Sequence, residues 1–280
     1  MDKIKKRMRT IIQTLSLIIA NFNIQGLFSG EIYGGKTKGL CVPGLNCYSC
    51  PAAGFSCPIG SLQQSLMRVK REVNTYTMGL VVLFGALFGR LICGYVCPFG
   101  FIQDLLYLIP TQKIKASLRY FRWVKYAILV VLVVGIPIVL SLSKGTGIPV
   151  FCKYICPQGT IAGLITVITR SEMARYVGNN FLFKILVLII ILALAIFIYR
   201  PFCRVICPLG AVYGLFNSFA LIRLHFSSKA CSKCGMCKEV CPVMIDPPKE
   251  CNGTECIRCG KCVNICPSQA ISFRKGKGIK

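Results

Sequence analysis

The chain has 280 residues, 54% of them hydrophobic, and its mean hydropathy of +0.63 excludes an ordinary soluble domain of this length. Its formal net charge is +25. We interpret that charge as basic residues flanking apolar segments near anionic lipid, because no recognition-helix pattern supports binding to nucleic acid. The single histidine, His225, excludes a haem held by two histidines, and the chain has no haem-attachment motif.

Four apolar segments are predicted to span a membrane. The first, residues 11–28, is interrupted by polar residues, and an amphipathic interfacial helix is its alternative. The other three, residues 75–92, 123–142 and 181–199, have about the 20 residues that a bilayer core requires. Pro137 predicts a kink in the third span. Four spans place both termini on the same side of the membrane.

A repeated motif, Cys-x-x-x-Cys-Pro-x-Gly, follows three of these segments at residues 93–100, 152–159 and 203–210. A partial copy occupies residues 57–60. Proline is tolerated at the first position of a helix, so each motif predicts a short re-entrant or interfacial helix with a cysteine at its N-cap. There the thiolate faces free backbone N–H groups and the positive end of the helix dipole, which suits an anionic iron–sulfur cluster.

The four-span topology separates the membrane cysteines into two groups of ligands. One [4Fe–4S] cluster, on the cytoplasmic face, is predicted at Cys93, Cys97, Cys203 and Cys207. The other, on the outer face, is predicted at Cys152, Cys156, Cys57 and Cys50. For this outer group three alternatives stay open. Cys47 or Cys41 replaces Cys50, or the four cysteines from Cys41 to Cys57 hold a cluster alone, or the outer cysteines form disulfides.

The C-terminal cysteines have the spacing of a two-cluster bacterial ferredoxin, in which the fourth cysteine of each run binds the other cluster. One [4Fe–4S] cluster is predicted at Cys231, Cys234, Cys237 and Cys266. The second is predicted at Cys256, Cys259, Cys262 and Cys241. A zinc ribbon is the alternative. Four clusters use sixteen of the nineteen cysteines, and Cys251 lies outside all the sets.

These patterns together predict an all-α integral membrane domain over residues 1–225, with four transmembrane helices and short helices after the Cys-Pro motifs. A small α+β ferredoxin domain with two clusters is predicted over residues 226–280. Because such a module is assembled in the reducing cytosol, both termini are predicted to be cytoplasmic, in a prokaryotic cell membrane.

The stretch from Gly89 to Gly100, the copy at residues 203–210 and the C-terminal run together resemble the NapH-type membrane iron–sulfur proteins. These are grouped with polyferredoxin-like proteins that include the NosR and CcoG/FixG types. The resemblance implies four membrane helices, cytoplasmic termini and electron transfer to or from a quinone pool or partner redox subunits. The chain differs from the family pattern in Cys152, Cys156 and the group from Cys41 to Cys57.

We therefore expect an electron-transfer subunit that lies in the lipid bilayer and has no catalytic residue of its own. Its expected partner is a flavoprotein, a cytochrome or a ferredoxin-linked enzyme. One alternative is a quinol dehydrogenase component, for which the candidate polar contacts with quinone are Asp104, Gln63, Gln103 and Tyr107. Another is an accessory protein in metalloenzyme assembly.

Overall fold

The computed structural model describes residues 2–67, 75–115, 117–118, 120–145 and 147–275, and it is mostly helical. Helices of the N-terminal half are Asp2–Ala20, Ile24–Ser29, Pro58–Leu66, Thr75–Phe88, Leu91–Tyr95, Pro98–Leu106 and Tyr120–Lys144. Those of the C-terminal half are Val150–Tyr154, Pro157–Thr169, Asn179–Phe197, Pro201–Val205, Pro208–Leu215, Met236–Glu239, Pro247–Glu250 and Lys261–Ile265. Two strands, β1 (Ile222–Phe226) and β2 (Ile271–Lys275), complete the fold.

Within the described residues, two helices are long and apolar enough to cross a membrane, Tyr120–Lys144 and Asn179–Phe197. They contain most of the predicted spans at 123–142 and 181–199. Met8–Ala20 and Thr75–Phe88 are apolar but shorter. The prediction of four transmembrane helices is thus supported in length for two segments, and for the other two it stays a prediction.

The two shorter helices end earlier than the sequence predicts, for local reasons. The helix Asp2–Ala20 ends before Asn21 and Asn23, whose side-chain amides donate to the carbonyls of Leu17 (3.0 Å) and Pro51 (2.8 Å). Short amide side chains compete in this way with helical hydrogen bonds. The helix Thr75–Phe88 ends at Gly89, whose φ of +54° lies in the left-handed region that favours glycine.

Pro137 lies in the helix Tyr120–Lys144 directly after a π-helical stretch, Ile128–Gly135. A proline inside a helix lacks an N–H donor, and its ring collides with the carbonyl one turn earlier. The wider π turn accommodates the ring, so the irregularity expected at Pro137 takes the form of a π-helical segment.

The three complete cysteine motifs share one backbone conformation. In each, the N–H of the second cysteine donates to the carbonyl of the residue before the first cysteine. These bonds are Cys97 to Ile92 (3.1 Å), Cys156 to Phe151 (3.0 Å) and Cys207 to Phe202 (2.9 Å). A new helix then begins at the proline, as predicted, and it also does so after the partial copy. The repeat therefore presents its cysteines in the same way each time.

The C-terminal unit is closed by the antiparallel pairing of β1 with β2. The helix Met236–Glu239 packs against the helix Lys261–Ile265 beside this pair of strands. The predicted boundary after residue 225 falls inside the strand β1, and the division into two domains stays a prediction.

Candidate cluster-binding sites

All nineteen cysteines lie within the described residues, and every one is a free thiol, so the structure does not contain the disulfides of the alternative prediction. In the same residues no three histidine, cysteine, aspartate or glutamate side chains lie close enough to hold a single metal ion. A four-iron cluster binds each thiolate through a different iron, so its ligands stand further apart than those of one ion.

The central site consists of Cys93, Cys97, Cys203 and Cys207, and all four side chains are buried in the main core. Burial raises the pKa of Cys203 to about 12, and the neighbouring Cys97 and Cys93 add to the shift. The structure thus brings the two predicted cysteine pairs together. Thiols with such a pKa stay protonated at neutral pH, so a metal that binds here displaces protons.

In the described part of the chain, several N–H groups point at sulfurs of the central site, among them the side chain of Arg90 at Cys93. The side chain of Gln103 donates to Cys203 Sγ (3.1 Å), and the backbone N–H of Leu45 donates to Cys97 Sγ (3.5 Å). Gly210 donates its backbone N–H to Cys207 Sγ at 3.3 Å. Hydrogen bonds to ligating sulfurs tune the reduction potential of a cluster, so these donors are equipped to set it.

The distal site consists of Cys47, Cys57, Cys152 and Cys156, which line one cavity of about 490 Å³. Burial raises the pKa of both Cys57 and Cys156 to about 12, and Cys47 raises it further in each case. Lys184 lowers the pKa of Cys156 from the opposite wall. The chemistry of this donor set fits a four-thiolate cluster as the central site does.

Of the alternatives that the sequence leaves open for this group, Cys47 lines the distal cavity, whereas Cys50 is not among the residues of its lining. The two cysteines are joined by a turn, in which the N–H of Cys50 donates to the carbonyl of Cys47 (3.1 Å). Cys50 is buried among small residues that include Ala53, and Cys47 packs against this cluster. Cys41 also lies outside the cavity lining, in a backbone bridge with Ser56. The ligand set of this site stays a prediction.

Two residues link the central and distal sites. Leu45, which lies in the loop carrying the distal cysteines, contacts Cys97 through its N–H. Tyr213 is fully buried, and its hydroxyl donates to the carbonyl of Pro43 in the same loop (2.9 Å). Burial raises the pKa of Tyr213, and Cys93 and Cys57, one cysteine from each site, raise it further.

The second ferredoxin site consists of Cys241, Cys256, Cys259 and Cys262, which line a common pocket. Burial raises the pKa of Cys256 to about 12, and the nearby Cys259 and Cys241 also act to raise it. The cysteine of the first run thus faces the three of the second, as the crossed ligand pattern requires. Cys251 also borders this pocket, although its thiol points at the carbonyl of Leu224 (3.9 Å).

The predicted first ferredoxin set, Cys231, Cys234, Cys237 and Cys266, is the most exposed of the predicted sets. Backbone N–H groups donate to Cys231 Sγ from Lys233 (3.4 Å) and to Cys266 Sγ from Ala270 (3.3 Å). Cys231 also raises the pKa of Cys237, after burial and Asp246. That these four cysteines share one cluster stays a prediction.

The ferredoxin unit docks directly on the central site at Gly94. A Cβ atom at this position would lie 2.7 Å from the carbonyl oxygen of Ile257, which stands between Cys256 and Cys259. Glycine is therefore required for the close approach of the two backbones. The second ferredoxin site and the central site are consequently neighbours.

The candidate quinone contacts have other roles in the structure. Asp104 pairs with Arg9 and Arg200. Gln63 and Gln103 are fully buried; Gln103 contacts Cys203, and Gln63 accepts a hydrogen bond from the N–H of Cys152 (3.3 Å). Tyr107 packs against Tyr199 and under Lys113. These side chains support the cysteine sites and are not ordinary surface positions.

Comparison with known protein families also indicates binding of iron–sulfur clusters. Models described as "4Fe-4S binding domain" match residues 77–117, 126–171 and 181–228, and a second such model matches residues 252–272. These ranges include the central cysteines, Cys152 and Cys156, but not Cys47 and Cys57. No solved structure matches the chain significantly.

The chain is 30% identical over 230 residues to an uncharacterized protein of Methanocaldococcus jannaschii, covering 78% of this chain and 85% of that protein. It is 30% identical over 165 residues to the ferredoxin-type protein NapH of Escherichia coli, covering 58% of this chain and 51% of NapH. It is 27% identical over 184 residues to the methylamine utilization ferredoxin-type protein MauN of Methylobacillus flagellatus, covering 64% and 58%. The chain thus spans little more than half the length of these two named relatives.

Proposed function

Because the chain belongs to the NapH-type family of 4Fe-4S electron-transfer proteins, we propose that it is a membrane-embedded subunit with four cluster sites in series. Its role is iron–sulfur electron transfer. The proposed order runs from the first ferredoxin site to the second, then to the central site and the distal site, with electrons able to move in either direction. Cys47 takes the place of Cys50 in the proposed distal ligand set.

The observation that carries this proposal is the contact of the central site with the second ferredoxin site on one side and the distal site on the other. Ile257 brings the second ferredoxin site against Gly94 of the central site. Leu45 and Tyr213 then join the central site to the distal one. Electron tunnelling falls steeply with distance, so side-chain and backbone contacts of this kind are what a conducting series needs.

The cysteines are arranged to hold clusters with little exposure to water. Bound [4Fe–4S] clusters would supply one-electron carriers at all four sites. The central thiols are buried on every side, whereas those of the first ferredoxin site are partly exposed. This gradient in burial supports exchange with a partner at the ferredoxin end and insulation from solvent in the middle.

We place this subunit in a prokaryotic cell membrane with four spans and cytoplasmic termini. The two helices of sufficient length, Tyr120–Lys144 and Asn179–Phe197, support a membrane location. Under this topology the ferredoxin unit lies in the cytosol and the distal site toward the outer face. The proposed partners are other redox subunits, such as a flavoprotein or a cytochrome.

The proposal is tested with anaerobically purified protein by iron and sulfide analysis together with EPR during stepwise reduction. We expect about sixteen irons per chain, four for each of four clusters. Because neighbouring sites are in contact, signals of the reduced clusters are expected to be broadened by spin coupling. About twelve irons, or four sharp and uncoupled signals, would contradict the proposed series.

Replacement of Gly94 by alanine is expected to loosen the ferredoxin unit and slow electron transfer into the central site. The added methyl group meets the carbonyl of Ile257, and overpacking of this kind costs about 1–3 kcal/mol. Stopped-flow reduction of the holoprotein measures the rate. Gly79→Ala is the matched control, because a Cβ at Gly79 meets no atom within 4 Å. Equal rates in both variants would show that Gly94 does not set the approach.

A further inference from the structure

Two fully buried arginines, Arg90 and Arg200, occupy the same position in two of the three complete cysteine motifs. Each stands three residues before the first cysteine, Cys93 or Cys203. The third motif has Pro149 at this position. The arginines therefore distinguish the two motifs of the central site from the motif of the distal site.

Each arginine reaches across to the other motif, and Arg90 also contacts the thiol of Cys93 in its own motif. Arg90 Nη2 donates to the carbonyl oxygen of Cys203 (2.9 Å). Arg200 Nη1 donates to the carbonyl oxygen of Cys93. The two contacts are reciprocal, so the first cysteine of each pair is held by the arginine of the opposite pair.

The glycine that ends each of these motifs leaves room for the opposite guanidinium. A Cβ at Gly100 would lie 3.0 Å from the carbonyl oxygen of Cys93 and 3.2 Å from Arg200 Nη1. A Cβ at Gly210 would lie 3.1 Å from the carbonyl oxygen of Cys203 and 3.5 Å from Arg90 Nη2. At Gly159 of the third motif, the corresponding distance to the carbonyl oxygen of Cys152 is 3.5 Å, and the other nearest atoms belong to Cys156.

Each guanidinium contacts one carboxylate. That carboxylate also contacts a second cation. On one side, Glu255 contacts Arg90 (3.5 Å) and Lys125 (2.6 Å). On the other side, Asp104 accepts from Arg200 Nε (2.8 Å) and from Arg9. At least two cations contact each carboxylate, and Arg204 also acts on Glu255, so the central site lies between two regions of surplus positive charge.

The pKa of Asp104 agrees with this surplus. Burial alone would raise that pKa, because burial disfavours the charged form. The guanidinium groups of Arg200 and Arg9 outweigh burial and hold the pKa of Asp104 below its ordinary range. Asp104 therefore stays charged at neutral pH, as does each arginine.

Arg90 also ties the central site to the ferredoxin unit. Its Nη1 donates to the carbonyl oxygen of Thr254 (2.6 Å), two residues before Cys256. One side chain therefore contacts the backbone beside ligands of two successive sites. This contact adds to the docking of Ile257 on Gly94.

We propose that Arg90 and Arg200 form a reciprocal arginine clamp that positions the two cysteine pairs of the central site and raises the reduction potential of the cluster bound there. This inference rests on the proposed function in one respect, because it requires that the central site binds a cluster. Reduction adds one negative charge to a cluster, and nearby buried cations stabilise that charge. The clamp residues are positioning residues, since they hold the ligands through backbone carbonyls.

The test compares Arg90→Met and Arg200→Met, which keep an unbranched side chain and remove the charge. Redox-titrated EPR of the holoprotein measures the potential of the central cluster. Each variant is expected to shift the reduction equilibrium of that cluster at least about tenfold toward the oxidised form, which for one electron is about 59 mV. Arg90→Lys and Arg200→Lys are expected to restore most of the potential, because they keep the charge.

Arg258→Met is the matched control for the loss of a buried arginine. Arg258 is also fully buried and donates to backbone carbonyls, including that of Phe88 (3.1 Å), but it does not contact the central cysteines. Its replacement is expected to leave the potential of the central cluster unchanged. An unchanged potential in both clamp Met variants, or an equal shift in Arg258→Met, overturns the proposal.

If the Met variants assemble no central cluster, glycine variants decide the question. Gly100→Ala places a methyl group 3.2 Å from the guanidinium of Arg200, and Gly210→Ala places one 3.1 Å from the Cys203 carbonyl oxygen that Arg90 holds, whereas Gly159→Ala meets no atom closer than 3.5 Å. The central EPR signal is expected to change in the first two variants only. Equal behaviour of all three overturns the clamp. Absence of a distal cluster contradicts the proposed series without affecting this readout, so the two failures are distinguishable.

Discussion

Replacement of Cys203 by serine is expected to remove about four of about sixteen irons and to interrupt the series at its middle. Cys203 carries the thiol that Gln103 contacts and the carbonyl that Arg90 holds, so it anchors the central site from two directions. Electrons supplied to the ferredoxin unit should then stop at the second ferredoxin site. Iron analysis and EPR after reduction measure both effects.

Cys251→Ser is the control for this experiment. Cys251 is buried, as Cys203 is, but its thiol faces the carbonyl of Leu224 and lies outside the proposed ligand sets. The variant is expected to keep all its iron and its electron transfer. Full iron in Cys203→Ser, or equal iron loss in both variants, would show that the central site is wrongly assigned.

Replacement of Cys47 by serine is expected to remove about four irons, those of the distal cluster, while Cys50→Ser removes none. The two residues are three positions apart, yet only Cys47 lines the distal cavity with Cys57. The pair of variants therefore separates a ligand from a packing residue in one loop. Iron per chain and the number of EPR signals after full reduction give the result.

The opposite outcome, in which Cys50→Ser loses iron and Cys47→Ser does not, would restore the ligand set predicted from the sequence. Loss of no iron in either variant would mean that the loop contributes no ligands. Cys152→Ser provides a positive reference, because Cys152 lines the same cavity from a different motif. It should match Cys47→Ser in iron content.

Cysteine spacing allowed the ferredoxin unit and the pairing of the central motifs to be predicted, because metal ligands recur at fixed intervals in the chain. The choice between Cys47 and Cys50 could not be predicted in this way. It depends on which of two cysteines joined by one turn reaches the distal cavity, and Cys-Pro at residues 50–51 imitates the motif. A tight turn leaves no distinctive spacing for the sequence to reveal.

Helix lengths were predictable only where apolar residues run without interruption. Asn21 and Asn23 divide the first apolar segment, and Gly89 ends the second, because side-chain amides and a left-handed glycine outweigh hydropathy locally.

The arginine clamp was not predicted from the sequence. A signal was present, since arginine stands three residues before the first cysteine in two motifs, but its cross-motif partner appears only in three dimensions.

Electron passage across sealed vesicles tests the proposed series most directly. The holoprotein is inserted into liposomes, and those with the ferredoxin unit outside are supplied with an impermeant reductant. An impermeant acceptor is enclosed inside. The account predicts reduction of the acceptor that is lost in Cys203→Ser and Cys47→Ser and kept in Cys251→Ser. No reduction in intact vesicles, with all four clusters assembled, would contradict it.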